Sequence, residues 1–446
     1  MFRIKREGVK WVALTLVAVG VLFWSVAPRV SAVPPESYED LRIFTDAVSI
    51  IQKNYAEEVE SKELVYSAVK GVLQGLDPHS TFMTPDDYKE MQVGTRGRFG
   101  GIGIEIGIRD RVLTVIAPIE DTPADRAGIK AGDKIVKIEE TFTKDMTLID
   151  AVKLMRGKKG TDVTISIMRE GFDLPKPFTL TRDIIKIKSV KFKTLEEGFG
   201  YLRIAQFQEK TSSEVEKALK ELGSKEGKLK GLVLDLRNDP GGLLNQAVEI
   251  SDKFLSSGLI VYTKGRVSGQ DMKFEARAEN THPDYPIIVL VNAGSASASE
   301  IVAGALQDQK RAIILGTQTF GKGSVQTIIP LSDGSAIKLT TSKYYTPLGR
   351  SIQAKGIEPD IIVGKTIKGH LKEKDLTGHL AGEAGKADKG GKADKEDKVD
   401  QGDKGDKKIR VEEKISGDKV GDVQLERALD YLKSWYIFKG TVSKLM

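Results

Sequence analysis

The sequence predicts a multidomain α/β protein. Three observations lead there. Two short, largely apolar runs, GLVLDL and IIVLVNA, are each followed by a helical pattern. An upstream stretch alternates short strands around one amphipathic helix. At 446 residues the chain is long enough for two or three domains.

Composition narrows the function classes. The chain is 40% hydrophobic and 30% charged, as a water-exposed globular protein should be. Its net charge of +6 comes from interspersed lysine and acidic residues, with no basic stripe interleaved with aromatics, so no nucleic-acid partner is expected. The absence of cysteine excludes disulfides, thiolate-held zinc and a thiol nucleophile. No metal or cofactor is called for.

At the N-terminus, Arg3, Lys5, Arg6 and Lys10 precede the apolar run from Trp11 to Ala27, and Val30-Ser31-Ala32 offers small residues for cleavage. Residues 1–32 therefore read as a secretory signal peptide, with an uncleaved membrane anchor as the second reading. Either way the body is exported, to the periplasm or the outer face of the cytoplasmic membrane, and the positive flank stays inside.

Residues 33–97 are helical, because LRIFTDAVSIIQKNYAEEV and LVYSAVKGVLQGL carry apolar residues at three- and four-residue spacing. Asp77-Pro78-His79-Ser80 then reads as a turn, with His79 a structural hydrogen-bonding residue. Residues 98–184 hold the short strands, the helix MTLIDAVKLMRG and the segment AGIKAGDK containing Gly128, Gly132 and Asp133. That strand order, with the helix and the AG-x-x-x-GD segment, resembles a PDZ domain. Residues 185–365 form the α/β core, whose apolar runs predict parallel strands with crossover helices. Ser332-Asp333-Gly334 between QTIIPL and SAIKLTTSKYYT signals a hairpin. Residues 366–420 are rich in Gly, Ala, Asp and Lys and should be a disordered linker. Residues 421–446, with VQLERALDYLKSW, predict a helical segment that docks back.

Two strand-to-helix turns stand out in the core. One is DLRNDPGG, Asp235–Gly242, and the other GSASASE, Gly294–Glu300. In parallel sheets such turns line the crevice at the carboxyl ends of the strands. A serine there sits beside unsatisfied helix N–H groups that can hold an oxyanion. Ser295, Ser297 and Ser299 are all candidates. None of the four histidines is close in sequence, so the base must be sought elsewhere. Lys322 lies between Gly321 and Gly323, with Gln326 following, and a lysine lowered by burial can take a serine's proton.

At these residues the chain resembles the carboxyl-terminal processing peptidases, or tail-specific proteases. The resemblance makes Ser297 the nucleophile, Lys322 the base and Gln326 its companion, because the family's S/T-A-S-A-S-E and G-K-G motifs fall at those positions with matching spacing. It implies a crotonase-like α/β protease core with an inserted PDZ domain and N-terminal helices. It also implies an exported serine endopeptidase working through a Ser-Lys dyad and an acyl-enzyme. The expected oxyanion donors are the N–H of Ala298 and that of Gly241 or Gly242. PDZ domains capture free C-termini by strand addition. The carboxylate loop would be Phe99–Gly103, with Gly101, Ile102, Gly103 and Ile104 at the capture strand and Leu148, Val152 and Met155 lining an apolar pocket. The partners so implied are protein substrates with free, apolar C-termini; an adaptor lipoprotein, self-association and membrane attachment through the N-terminal segment stay open. Two competing readings are an inactive exported PDZ binding or chaperone protein and a crotonase-like acyl-CoA enzyme. The serine, lysine and glutamine set favours the protease over the first, and the PDZ-like insertion and signal segment argue against the second.

Overall fold

The computed structural model describes residues 35–144, 146–225, 229–279, 281–282, 285–364, 371–382, 409–411 and 422–445. The apolar run Trp11–Ala27 and the small residues Val30–Ala32 lie outside them. Among the described residues no helix is long and apolar enough to cross a membrane.

The chain divides into two units, residues 1–69 and 70–446. The first holds α1 (Pro35–Asn54) and most of α2 (Ser61–Gln74), as the helical spacing predicts. Gln52 Nε2 donates to Ser61 Oγ at 2.8 Å. Leu41, Ile43, Ile50 and Ile51 stay exposed on α1.

The predicted turn lies near the start of the second unit. The Asp77 carboxylate accepts from the N–H groups of His79 and Ser80 at 2.9 and 3.0 Å and from the Ser80 hydroxyl at 2.6 Å. β1 (Thr81–Met83) and α3 (Pro85–Arg96) follow. Thr84 and Asp87 cap α3 reciprocally at its start, and Gly97, at φ +65°, ends it.

The strand-rich domain comprises β2 (Arg98–Gly101), β3 (Ile104–Arg109), β4 (Val112–Pro118), α4 (Pro123–Arg126), β5 (Lys134–Ile138), β6 (Thr141–Phe142), α5 (Leu148–Met155), β7 (Asp162–Met168), β8 (Lys176–Thr181) and β9 (Asp183–Lys186). β3-β4-β5-β7-β8 form one antiparallel sheet, and β2 pairs with β9 where the chain enters and leaves. Gly128 and Gly132 both need positive φ. Between and beyond them the buried Asp133 carboxylate accepts from Lys130 N–H and from the Arg169 guanidinium. That clasp is why the AG-x-x-x-GD segment has the residues it has.

The core continues with β10 (Val190–Glu196), β11 (Phe199–Ile204), α6 (Thr211–Lys225), β12 (Gly231–Asp235), α7 (Leu244–Asp252), β13 (Leu259–Gly265), β14 (Lys273–Glu275), β15 (Ile287–Val291), α8 (Ala298–Asp308), β16 (Ile313–Gly316), β17 (Ser324–Pro330), β18 (Ala336–Tyr345), β19 (Ile361–Val363), β20 (Ile409–Val411) and α9 (Val423–Leu445). One sheet runs β10-β11-β12-β15-β16-β19-β20 and is parallel from β11 onward. β12 and β15 are buried at every position, which is why they read as unbroken apolar runs. Leu219, Ile250 and Val302 from α6, α7 and α8 cover one face. Ala428 and Leu432 of α9 cover the other, against Val233, Ile288 and Leu290. A second sheet, β1-β18-β13-β14 with β17 on β18, contains the predicted hairpin. Since β1 joins this sheet before the strand-rich domain begins, that domain is an insertion in the core.

Two departures from the expected linker stand out. Within residues 366–420, the segment 371–382 is ordered, with a 3₁₀ turn at Glu373–Asp375, and β20 pairs in parallel with β19. Composition argued against order because it weighs apolar burial, whereas this segment is held by polar bonds described below.

The start of α9 is tied to the core by charge. The Arg237 guanidinium donates to both oxygens of Asp235 and both of Asp422 at 2.6–3.0 Å. Asp235 is fully buried. Arg237→Ala is expected to cost about 2 kcal/mol, because it leaves the buried Asp235 carboxylate only the Tyr201 hydroxyl and the Arg203 guanidinium as side-chain donors and frees the helix start. Urea unfolding of the two proteins checks this.

Candidate active site

β12 and β15 are neighbours in parallel register, Asp235 beside Leu290, so the turns that follow them lie side by side. Polar bonds hold the two turns together. Asn238 N–H donates to Asn292 Oδ1 and Asn292 Nδ2 to Asn238 Oδ1, both at 2.9 Å. Ala296 N–H donates to Asp239 O at 2.9 Å. The Ser295 and Ser299 hydroxyls donate to the carbonyls of Leu236 and Asp239 at 2.8 and 3.0 Å. Both flanking serines are therefore committed to holding the turns.

Ser297 differs from both. It precedes α8 with φ 55° and ψ −109°, a conformation that costs a side-chain-bearing residue about 1–3 kcal/mol. Its hydroxyl does not cap the helix and instead lies 3.0 Å from the Tyr344 hydroxyl. Its own N–H donates to Glu300 Oε2 at 2.8 Å. Ser297 is buried, 6% exposed.

Glu300 organises the site. Fully buried, its carboxylate accepts from Ser297 N–H, from the Thr319 hydroxyl at 2.5 Å, from Gly321 N–H at 2.7 Å and from Lys322 N–H at 2.9 Å. One oxygen, Oε2, thus holds the backbone of Ser297 and of Lys322 together. Burial pushes its carboxyl up to about 7, against the pull of those four donors.

Lys322 projects from the glycine-flanked loop before β17. Burial holds its amine below the usual lysine range and the charge of Lys338 adds to this, while Glu373, Glu300 and Asp77 oppose it. That direction favours a neutral amine. The Ser297 hydroxyl is paired with Tyr344 rather than with this amine; Tyr344 is pinned there because its N–H donates to Gly323 O at 2.8 Å. The bond expected from Gln326 to the amine is also not formed. Gln326 faces Thr340 across the hairpin, and its amide donates to Ser324 Oγ at 2.9 Å and Thr340 Oγ1 at 3.4 Å. Thr340 in turn donates to Asp77 at 3.0 Å, which ties the N-terminal turn to this wall.

The expected oxyanion donors divide. Among the described residues the N–H groups of Ala298 and Gly242 have no acceptor, but that of Gly241 donates to Asp239 Oδ1 at 2.8 Å. An aspartate captures the N–H two residues on in such turns, so Gly241 is corrected from an open donor to an occupied one. Burial pushes the Asp239 carboxyl up to about 8, against the pull of the Gly241 N–H. Gly241 lies against the nucleophile all the same. A Cβ placed on it would come within 2.8 Å of Ala298 N and 2.9 Å of Ser297 Cβ.

In the strand-rich domain, the N–H groups of Ile102 and Gly103 donate to no protein group among the described residues. Gly101 pairs with Asp183 in the β2–β9 ribbon. The side chains of Ile102 and Met155 are core, which corrects Met155 from pocket to packing residue. Ile104 is half-buried against that core, and Leu148 and Val152 remain accessible on α5. Sequence reasoning missed Tyr344 and the central place of Glu300. The pattern Ser297-x-x-Glu300 was available as a signal for the latter.

The chain matches three family models: peptidase family S41 over residues 198–363, a PDZ domain over 100–175 and the activating protease CtpB N-terminal domain over 27–87. It is 48% identical over 356 residues to a carboxy-terminal-processing protease of Bartonella bacilliformis, covering 78% of this chain and 82% of that protein. It is 38% identical over 322 residues to a carboxyl-terminal-processing protease of Synechocystis, covering 70% and 74% respectively. Among solved structures, the photosystem II D1 C-terminal processing protease superposes with a TM-score of 0.43 at 32% identity, over 72% of this chain and 92% of that one.

Proposed function

Because this chain belongs to the carboxyl-terminal processing proteases of peptidase family S41, we propose that Ser297 is its nucleophile and Lys322 its general base. It is a serine-type peptidase with a PDZ domain in its core. The convergence of the Ser297 and Lys322 backbones on one buried oxygen of Glu300 carries the assignment.

In the proposed reaction the neutral Lys322 amine takes the Ser297 proton as Oγ attacks the scissile carbonyl. The phenol of Tyr344, which burial pushes up to about 12, stays protonated and can donate to that oxygen. The tetrahedral oxyanion is held by the free N–H groups of Ala298 and Gly242. The lysine ammonium then protonates the leaving amine as the C–N bond breaks, leaving an ester on Ser297. A water deprotonated by Lys322 attacks the ester, releases the new carboxylic acid and restores the serine. Gln326 supports this wall through Thr340 and Asp77. The reaction calls for no metal or cofactor.

Substrates are captured by a free C-terminal carboxylate at the Ile102 and Gly103 amides, with its last side chain against Leu148 and Val152. Amidating the C-terminus of a test substrate is expected to lower its kcat/KM about tenfold or more, through loss of a charge-assisted contact. Equal cleavage of amidated and free substrates would remove the capture reading. We place the enzyme outside the cytoplasm, in the periplasm or on the outer face of the cytoplasmic membrane, on the strength of residues 1–32. The apolar residues left exposed on α1 support self-association. The decisive experiment for function is mass spectrometry of peptides released from casein by wild type, Ser297→Ala and Lys322→Ala. Only the wild type should release them.

A further inference from the structure

The segment 371–382 lies beyond the peptidase match, which ends at residue 363. It runs along the lysine-bearing loop. Glu373 N–H donates to Phe320 O at 3.2 Å, and Lys372 Nζ to Gln318 Oε1 at 2.6 Å. Lys343 Nζ donates to Ala381 O at 2.6 Å, and Gln353 Nε2 to Leu380 O at 3.1 Å.

This strap places a fully buried carboxylate, that of Glu373, behind the proposed base. Its oxygens lie 3.0 and 2.8 Å from His79 Nε2, and Oε1 accepts from Gln353 Nε2 at 2.8 Å. The other end of the same amide, Gln353 Oε1, accepts from Gly323 N–H at 3.0 Å. The loop carrying Lys322 is therefore gripped on both flanks. Glu300 holds Gly321 and Lys322 directly, and Glu373 holds Gly323 through Gln353.

A buried carboxylate is costly and is weak evidence for stability alone. Here its charge also faces Lys322. Around that amine stand Lys338 from β18, Glu300 from α8, Asp77 from the turn before β1 and Glu373 from the strap. His79 partners Glu373, Lys374 is exposed, and the exposed Asp375 carboxylate accepts from Lys372 N–H at 2.9 Å. We propose that the strap is part of the catalytic apparatus and that Glu373 is a positioning residue for Lys322, acting by its grip on the Gln353–Gly323 relay and by its negative charge. This rests on Lys322 being the base. A base works best with a proton affinity near the operating pH. Burial and Lys338 lower it, and Glu373 opposes them.

The test is the pH profile of kcat/KM on a quenched peptide, measured with full-length protein. Glu373→Gln keeps an oxygen for the relay but removes the charge. Its acid limb should move to lower pH by roughly half a unit or more. Glu373→Asp keeps the charge on a shorter arm, so its limb should stay near wild type while kcat falls several-fold and KM holds. A folded Glu373→Gln enzyme with the wild-type limb overturns the proposal. Should that variant not fold, a Glu373→Asp enzyme with wild-type kcat overturns it equally. Lys322→Ala is run in parallel. If it retains activity, the assignment of the base has failed; if it is inactive while the limb is unmoved in Glu373→Gln, only the role of the strap has failed.

Discussion

Ser297→Ala and Lys322→Ala each lower kcat/KM by roughly a thousandfold or more, and the double substitution lowers it little further. The two side chains perform one proton transfer, so losing either loses the whole step. Lys322→Arg is no rescue, because a guanidinium does not release its proton near neutral pH. Both alanine variants should still fold. Ser297→Ala leaves the buried Tyr344 hydroxyl without its partner, a loss of about 1–3 kcal/mol, and Lys322→Ala removes an amine from a site that disfavours its charge. Thermal melts beside the kinetics separate loss of chemistry from loss of fold. The same premise gives the pH dependence its sign. Activity requires the amine neutral, so it declines on acidification, about tenfold per pH unit once below the amine's own pKa.

Gly241→Ala is expected to lower kcat by about a hundredfold or more, the scale of losing an oxyanion donor, with KM for a C-terminal tail unchanged. Gly241 has φ +98°, already unfavourable for alanine. More decisive is what the new methyl meets. It would lie 2.7 Å from Ala296 O, 2.8 Å from Ala298 N and 2.9 Å from Ser297 Cβ, closer than real contacts allow. Two of the three are backbone atoms, so the turn must shift, and it takes the nucleophile and its neighbouring donor with it. Gly269→Ala is the control. That glycine has φ +91° with nothing within 4 Å of a Cβ, so its substitution carries backbone strain alone and should leave kcat as it was.

Much of this was legible in the sequence where one residue type has one physical use. β12 and β15 announced themselves because strands buried on both faces are apolar throughout. The hairpin was visible at Ser332-Asp333-Gly334 because the turn needs Gly334 at φ +85°. What escaped were roles created by distant pairing. Tyr344 reads as an ordinary strand aromatic until β18 is laid beside the Ser297 turn. Glu373 sits in a lysine-rich, apolar-poor stretch, and its half-buried partner His79 is 294 positions away. Gly241 looked like an open donor because nothing local showed that Asp239 would fold back onto its N–H, although an aspartate two residues upstream is the usual way such turns close.

The most direct test of the account is labelling of the enzyme by a serine-reactive fluorophosphonate, with the adduct mapped by peptide mass spectrometry across pH. The account predicts a single adduct on Ser297, formed more slowly as the pH falls, and almost none in Lys322→Ala at any pH near neutrality. Labelling of Lys322→Ala at the wild-type rate and with the wild-type pH profile, or an adduct on any other serine, would contradict it.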